Sequence, residues 1–335
     1  MSSHYAHSIA KLQHPLTATE EQRTPLSSAA QQPCITILLC TYNGARFLRA
    51  QIASIEKQSH RNWRLVASDD GSTDETLGIL RHVSQRIRGR FELRQSAQLG
   101  PCANFLALAS DPNIRGEYFA FCDQDDVWHA NKLTRALRWL ETIPESVPAV
   151  YGARTRLVCA AGQPVGYSPK FAKAPSFGNA LVQSIAGGNT MVFNRAAKQI
   201  LEKAGAVNVV SHDWWTYQLV SGAGGIVVYD PEPHLDYRQH AANQIGCNMG
   251  LQAKWWRLKM TLTGGFAVWN DTNFFALRRC THLLTSDSRE LLDMYEVMRK
   301  GRLKNRLKAF FCSSARRQSL VGNIVLLLAI VLKKL

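Results

Sequence analysis

The chain has 335 residues, 46% of them hydrophobic and 19% charged, with a formal net charge of +15. This is ordinary globular composition, long enough for one large α/β domain with an appendage or for two domains. Eight cysteines without a CxxC or a repeated short spacing, and an N-terminus unlike a secretory signal, argue against a zinc or redox motif and fit reduced thiols in a cytoplasm.

Residues 1–33 are rich in Ser, Thr, Gln, Ala and Pro, carry four charged residues and show no sustained apolar period, which predicts a disordered tail. From residue 34 short apolar runs alternate with helical patterns. "CITILLC" reads as a buried strand ending at the turn "TYNG", and "RFLRAQIASIEKQ" as a helix with Phe47, Leu48, Ile52 and Ile55 on one face. "WRLVASDDGS" is a second strand running into an acidic turn, and "TDETLGILRHVSQRI" a second helix. "RFELRQS", "EYFAFC" and "PAVYGARTRLVC" read as strands, interleaved with helices over "CANFLALAS" and "NKLTRALRWLETI". Beyond them come a strand in "GGNTMVFNR", a helix from about Arg195 to Ala204, a helix opened by "SHDWWTYQLVSG", and short strands in "GIVVYD" and "HLDYRQH". The alternation predicts an α/β fold, a mainly parallel sheet flanked by helices, with a helical C-terminal extension after about residue 250. In such sheets ligands bind at the carboxyl ends of strands. "CTYN", "SDDGS" and "CDQDD" all stop predicted strands, so three polar clusters fall on one edge.

The charge is unevenly placed. Residues 251–335 hold 16 Lys/Arg and 5 Asp/Glu, a net of +11, which leaves only +4 for residues 1–250. Eight Lys/Arg lie between Arg299 and Arg317, with Leu303, Leu307, Phe310 and Phe311 at helical spacing, and a nine-residue apolar run, Ile324–Leu332, follows. Nine residues fall well short of the ~20 needed to span a bilayer. The pattern predicts a helix lying in a membrane interface with its basic residues toward anionic lipid, the other reading being a terminal helix packed on the domain.

Three motifs carry chemistry. Asp123, Asp125 and Asp126 place three carboxylates in four residues at a strand end, where an Asp-x-Asp suits a hard divalent cation shared with substrate phosphates. The plain alternative is that Asp126 caps a helix beginning near His129. In "SDDGSTDET", Asp69 and Asp70 project at the sheet edge, where they can accept hydrogen bonds from a base or ribose; the alternative is an ordinary turn with Asp74 capping the next helix. In "HDWW", Asp213 is a carboxylate in an aromatic setting suited to general-base work, or else a capping residue. His212, His234 and His240 lack zinc spacing, and neither a full G-x-G-x-x-G nor a phosphate-binding G-x-x-x-x-G-K-[ST] is present.

The run "ITILLCTYNGARFLRAQIASIEKQSHRNWRLVASDDGSTDET", then "ANF", then "FCDQDDVWHANKL" resembles family-two glycosyltransferases with the GT-A type nucleotide-diphospho-sugar transferase fold. The later "GGNTMVFNR", "HDWWTYQLVSGAGG" and "YRQH" resemble the bacterial rhamnosyltransferase branch, which works on O-antigen and other surface polysaccharides. The resemblance covers about residues 34–247 and implies a glycosyltransferase domain at 34–250, divided into a nucleotide-sugar-binding half (34–145) and an acceptor half (146–250). It implies that Thr41, Tyr42 and Asn43 line the nucleotide pocket and that Asp70 holds the base, with Asp69 adjacent. It makes Asp123 and Asp125 the residues for ribose and a diphosphate-bound Mg²⁺ or Mn²⁺, Asp126 a supporting ligand, and Asp213 the catalytic base. His212 stands where the family has Glu, and "YRQH" differs from the Gln-x-x-Arg-Trp of processive members, which points to single addition. The implied reaction inverts the donor sugar (rhamnose from dTDP-rhamnose, or a UDP-sugar) onto a glycan or lipid-linked acceptor. Its implied place is the inner face of the cytoplasmic membrane, peripherally bound.

Two other readings compete. "YFAFCDQDDV" fits the start of a haloacid-dehalogenase-like phosphatase with Asp123 as nucleophile, but that motif belongs on a first strand and here falls on the fourth. A basic nucleic-acid binder is the other, yet the basicity sits in one terminal segment and the body lacks interleaved basic and aromatic residues, so no nucleic acid is expected.

Overall fold

The computed structural model describes residues 32–240 and 264–335. The expected tail, apart from residues 32 and 33, and the first part of the basic region lie outside the described residues.

Strand β1 (Ile35–Thr41) pairs in parallel with β2 (Trp63–Asp69) on one side and with β4 (Tyr118–Cys122) on the other, and β2 pairs in parallel with β3 (Phe91–Gln95). Alternation along β1 sends Ile35, Ile37 and Leu39 into one apolar cluster and Leu38 and Cys40 into another. Both faces of the sheet are therefore covered, which is why the strands read as continuous apolar runs rather than half-polar ones. The helices α1 (Ala45–Glu56) and α2 (Thr76–Arg86) supply Leu48, Ile52, Ile55, Ile79, Leu80 and Val83 to the first face.

Beyond β4 the chain turns through the two-residue β5 (Val127–Trp128) into α4 (Lys132–Leu140), having already passed α3 (Pro101–Ser110). The run expected as one strand over "PAVYGARTRLVC" is two. β6 (Ala149–Ala153) joins the main sheet and β7 (Arg156–Cys159) a smaller one with β8 (Pro164–Tyr167). The last bond of the first ladder runs from the Arg154 amide to the Asp230 carbonyl, and the break follows it, where the Thr155 amide turns to Ser168 Oγ. β9 (Val192–Asn194) runs antiparallel between β4 and β6, and α5 (Arg195–Ala204) follows it, capped by Asn194. α6 (His212–Gly222), β10 (Ile226–Asp230) and β11 (Leu235–Gln239) complete the two sheets, of order β10-β6-β9-β4-β1-β2-β3 and β5-β11-β7-β8.

Four C-terminal helices, α7 (Gly265–Arg279), α8 (Ser286–Lys300), α9 (Leu303–Cys312) and α10 (Leu320–Val331), close the second face of the sheet. Phe274, Leu292, Tyr295, Phe310, Leu326 and Ile330 share one cluster with Leu38, Phe121 and Leu219, so the basic region packs into the same core as the sheet. No helix among the described residues is long and apolar enough to cross a membrane.

The far end of the sheet is fastened by a buried carboxylate paired with a partly exposed arginine. Asp230, 1% exposed, accepts from Arg135 Nε (2.8 Å), Tyr151 Oη (2.9 Å) and the Glu232 amide (3.0 Å). Burial alone would push its carboxyl up, but the hydrogen bonds of His234, Arg135, the Glu232 amide and Tyr151 hold it well below the ordinary carboxylate range. A carboxyl depressed in this way contributes stability above its unfolded pKa and loses it as pH falls toward the folded one. Asp230→Asn is therefore expected to cost about 2–3 kcal/mol near neutral pH, with the deficit shrinking below about pH 4. Denaturant unfolding of both proteins across that range measures it, and a pH-independent difference would place the effect elsewhere.

Candidate active site

The parallel register decides where the acidic loops emerge. Thr41 lies opposite Asp69 and Leu39 opposite Cys122, so the residues following β1, β2 and β4 leave the same sheet edge side by side. The antiparallel β9 begins at that edge, which brings the short 3₁₀ turn Gly188–Thr190 beside the β4 loop.

The β1 and β2 loops are stitched together. Asp69 accepts from Thr41 Oγ1 (2.8 Å), Ser72 Oγ (2.6 Å) and the amides of Gly71 (3.1 Å) and Ser72 (2.8 Å), which uses its carboxylate within the turn. Asp70 accepts from Ser96 Oγ and from the Gly100 amide (3.0 Å), anchoring the loop between β3 and α3. Asn43, with φ of 46°, receives the Thr73 amide at 2.8 Å. Asp74 does not serve as a side-chain cap of α2. It bonds the Thr76 amide (3.0 Å) and the Ala45 amide (3.1 Å), joining the two loops. Tyr42 stands 56% exposed at the rim, its amide and carbonyl clasped by the Gln124 side chain at 2.9 Å each.

The β4 loop concentrates the charge. Asp123 is half-buried, and its carboxylate has no hydrogen-bond partner among the described residues. Loss of solvent, then the charges of Asp125 and Asp213, push its carboxyl up to about 8. Asp125 Oδ2 meets His240 Nε2 at 2.7 Å, and the Asp125 carbonyl accepts from Arg238 Nε at 3.0 Å. Asp126 is fully buried, taking Asn189 Nδ2 at 2.7 Å and the Arg238 amide at 3.3 Å. Desolvation, Asp125 and Asp123 hold its carboxyl well above the ordinary range. It caps no helix, because α4 begins only at Lys132 after Asn131. The three carboxylates do not converge as one ligand set, since Asp125 turns to β11 and Asp126 to the Gly188–Thr190 turn. No group of three His, Cys, Asp or Glu poised to hold an ion occurs among the described residues. Behind them Lys132 is buried with its amine 3.4 Å from the Trp128 ring centroid, and burial brings that amine down to about 7.

Asp213 opens α6, with Oδ2 receiving the Gly188 amide (3.1 Å) and Oδ1 the Trp214 amide (2.7 Å). It lies near enough to Asp123 to raise that residue's pKa, so the candidate base and the acidic loop occupy one site. His212 stacks on Phe105 (4.1 Å) with its edge to Phe121 (4.8 Å), and burial holds its imidazole below the usual value. A Cβ at Gly188 would overlap His212 Nε2, so only glycine lets the turn approach closely enough for its amide to reach Asp213.

Sequence reasoning missed Gln124, Asn189, Arg238, Lys132 and Gly188 as parts of this site, and weighed His240 only for zinc. Their one local signal is polarity inside motif runs, as in "DQDD", "GGNT" and "YRQH".

Residues 36–199 match the model of Glycosyl transferase family 2. The chain is 29% identical over 229 residues to the dTDP-rhamnosyl transferase RfbG of Shigella flexneri, covering 66% of this chain and 78% of that protein. It is 30% identical over 119 residues to WfgD of Escherichia coli, a UDP-Glc:alpha-D-GlcNAc-diphosphoundecaprenol beta-1,3-glucosyltransferase, covering 35% of this chain and 44% of that one. Among solved structures, S. aureus TarS in complex with UDP-GlcNAc superposes with a TM-score of 0.51 at 15% identity, over 82% of this chain and 89% of the other, a likeness of fold. The mainly parallel sheet, the acidic strand ends on one edge and the match to the family model agree: residues 36–199 of the chain form a glycosyl transferase family 2 domain.

Proposed function

We propose that this family-two glycosyltransferase is a divalent-metal-dependent, inverting enzyme. In this reading it moves a sugar from a nucleotide-diphosphate donor to a hydroxyl of a lipid-linked or polysaccharide acceptor in O-antigen or exopolysaccharide biosynthesis. The observation that carries it is the meeting, on one sheet edge, of an unpartnered carboxylate (Asp123) with a held one (Asp213) close enough to alter its ionisation. Rhamnose from dTDP-rhamnose is the first donor to test, supported by the Shigella relative. A UDP-sugar is the second. The E. coli relative supports a diphosphoundecaprenol-linked acceptor.

At the nucleotide end, Thr41, Tyr42 and Asn43 form the rim and Asp69 and Asp70 fix it. Asp69, saturated by its turn, shapes the pocket, and Asp70 sets the loop that faces the base. The donor set at the diphosphate end fits Mg²⁺ or Mn²⁺: the groups are hard oxygens, the charge of Asp125 adds to burial in raising the proton affinity of Asp123, and the Asp123 carboxylate has no hydrogen-bond partner among the described residues. Asp123 and Asp125 would hold the ion, with Asp126, fixed by Asn189 and the Arg238 amide, stiffening the loop behind them. A bound ion supplies Lewis-acid stabilisation of the departing diphosphate. His240 Nε2 holds the Asp125 carboxylate on its β11 side at 2.7 Å.

At the acceptor end Asp213 takes the hydroxyl proton. The Gly188 and Trp214 amides orient the carboxylate while leaving lone pairs free, and attack opposite the leaving group inverts the anomeric centre. In this reading residues 251–335 carry a contact with anionic lipid, and the protein works peripherally on the inner face of the cytoplasmic membrane.

The deciding assay is nucleotide release from a panel of sugar nucleotides with Mg²⁺ or Mn²⁺. Asp125→Asn is expected to abolish metal-stimulated transfer while leaving the circular dichroism spectrum unchanged; full activity would overturn the metal reading. Asp213→Asn is expected to lower kcat by about 10²–10⁴ with donor affinity unchanged. A loss of donor affinity instead would assign it to binding. Asp123→Asn is expected to raise the Tm of metal-free protein by about 2–5 °C at pH 8. The sign follows because the unfolded carboxyl is ionised above about pH 4 whereas the folded one resists ionisation, so the cost grows with pH. Thermal melts in EDTA at pH 5 and pH 8 check it, with the larger gain expected at pH 8.

A further inference from the structure

Among the described residues, the C-terminal helices leave a set of apolar side chains uncovered. None of the twelve residues of α10 is charged. It buries Leu326, Ala329 and Ile330 in the core and turns Leu320 (77% exposed), Val321 (71%), Ile324, Leu328 and Val331 outward, with Leu332 just beyond its end. At 100° per residue these outward positions fill one continuous third of the helix surface, opposite the buried ones. α9 packs against α10 through Arg306, whose guanidinium bonds the Ile330 carbonyl. Its own outer face carries Leu303 and Phe311 (66% exposed), flanked by exposed Lys304 and Lys308. The apolar stripe expected over Leu303, Leu307, Phe310 and Phe311 is thus divided: Phe310 joins the core and α10 supplies most of the exposed face.

The surroundings are cationic. Between Arg299 and Leu335 there are ten Lys/Arg and no Asp or Glu, and Lys333 and Lys334 stand exposed where α10 ends. Two copies meeting through this face would set Lys304, Lys308, Lys333 and Lys334 of each against the same lysines of the other, whereas an anionic bilayer complements both the apolar stripe and its rim. At ~1.5 Å per residue α10 is about 18 Å long, too short to cross a ~30 Å hydrocarbon layer but suited to lie within its interface.

The face is mounted on the acceptor side of the site. Asn179 Nδ2 donates to the Arg316 carbonyl (2.8 Å), the Gln318 amide to Gln183 Oε1 (2.8 Å), and Gln318 exchanges two 2.9 Å bonds with the Lys173 backbone. Gly178 approaches the Ser314 backbone so closely that a Cβ would lie 2.6 Å from its carbonyl oxygen. The same segment receives Trp214 Nε1 (2.7 Å) and Gln218 Nε2 (3.1 Å) at the Ala180 carbonyl, both from α6, the helix that opens with His212 and Asp213.

We propose that the outer faces of α9 and α10, centred on Ile324, Leu328 and Phe311 and rimmed by Lys304, Lys308, Lys333 and Lys334, dock on an anionic lipid bilayer. Segment 173–183 then links that docked face to the helix bearing the catalytic base. The purpose of the link rests on the reading of a lipid-linked acceptor; the docking itself does not.

The test uses the full chain in vesicle flotation, with phosphatidylcholine alone and with added phosphatidylglycerol. Wild type is expected to float only with the anionic vesicles. Ile324→Glu with Leu328→Glu is expected to weaken binding about tenfold or more. Neutralising each rim lysine to Gln should weaken it about fivefold and flatten its salt dependence. Both sets should keep the wild-type Tm and the wild-type release of nucleotide in solution. Absent wild-type binding, or binding unchanged in the variants, overturns the proposal. So does a wild-type dimer that the Glu variant splits, or a Tm drop of more than about 5 °C, which would mean that another copy or the chain itself covers the face. Vesicle binding that tracks these residues without nucleotide release from any donor would leave the lipid face standing and sink the transfer reading.

Discussion

The parallel pairing of β1 with β2 and β4 is the constraint on which the rest depends. Parallel strands in register must all end at the same edge, so whatever polar residues terminate them are brought together whether or not they attract. Here they repel. Asp123, Asp125 and Asp126 crowd one loop and Asp213 adds its field, and burial makes ionisation of Asp123 and Asp126 dearer. The sheet tolerates this because its strands are committed by two apolar clusters, one on each face, that do not involve the loops. Charge crowded in this way at a strand end is held there by an unrelated core, and the proposed cation would relieve it.

The substitution of His212 for the family's Glu makes sense in the same terms. Its ring lies between Phe105 and Phe121, beside Asp213 and within the field that already raises the proton affinity of Asp123. A carboxylate there would be a further buried negative charge without a partner. A neutral imidazole fills the aromatic slot and walls the Gly188 turn into place. Gly188 and His212 therefore act on Asp213 through shape rather than charge.

Much of this was legible in the residues. The strand ends were found because an apolar run stopped by acids is a local pattern, and α5 and α6 because their caps and periodicity are local too. The loops' mutual clasps were not. Asp126 is held by Asn189, 63 positions away, and by Arg238, 112 away, while Asp125 meets His240 across 115. No window of sequence contains such pairs. The same limit explains β6 and β7, where a continuous apolar run is divided between two sheets as the Thr155 amide turns to Ser168. It also explains α9, since a helical wheel cannot tell which of Phe310 and Phe311 meets the core.

The C-terminal region shows how far composition can mislead about autonomy. Its charge sets it apart from the body, yet Phe310, Leu326, Ile330 and Leu335 sit in one cluster with Leu38, Phe121 and Leu219. Each such side chain returned to water would cost about 1.5–3 kcal/mol, and several lie on α9 and α10 alone. Cutting the chain before these helices would therefore strip the sheet's second face as well as any lipid contact, and loss of membrane binding in a truncated protein would report unfolding as readily as docking. The surface role and the core role of α10 divide by face, Ile324 and Leu328 outward, Leu326 and Ile330 inward. Substitutions confined to the outward positions separate them, because they change what the helix offers to its surroundings while leaving intact what it gives to the fold.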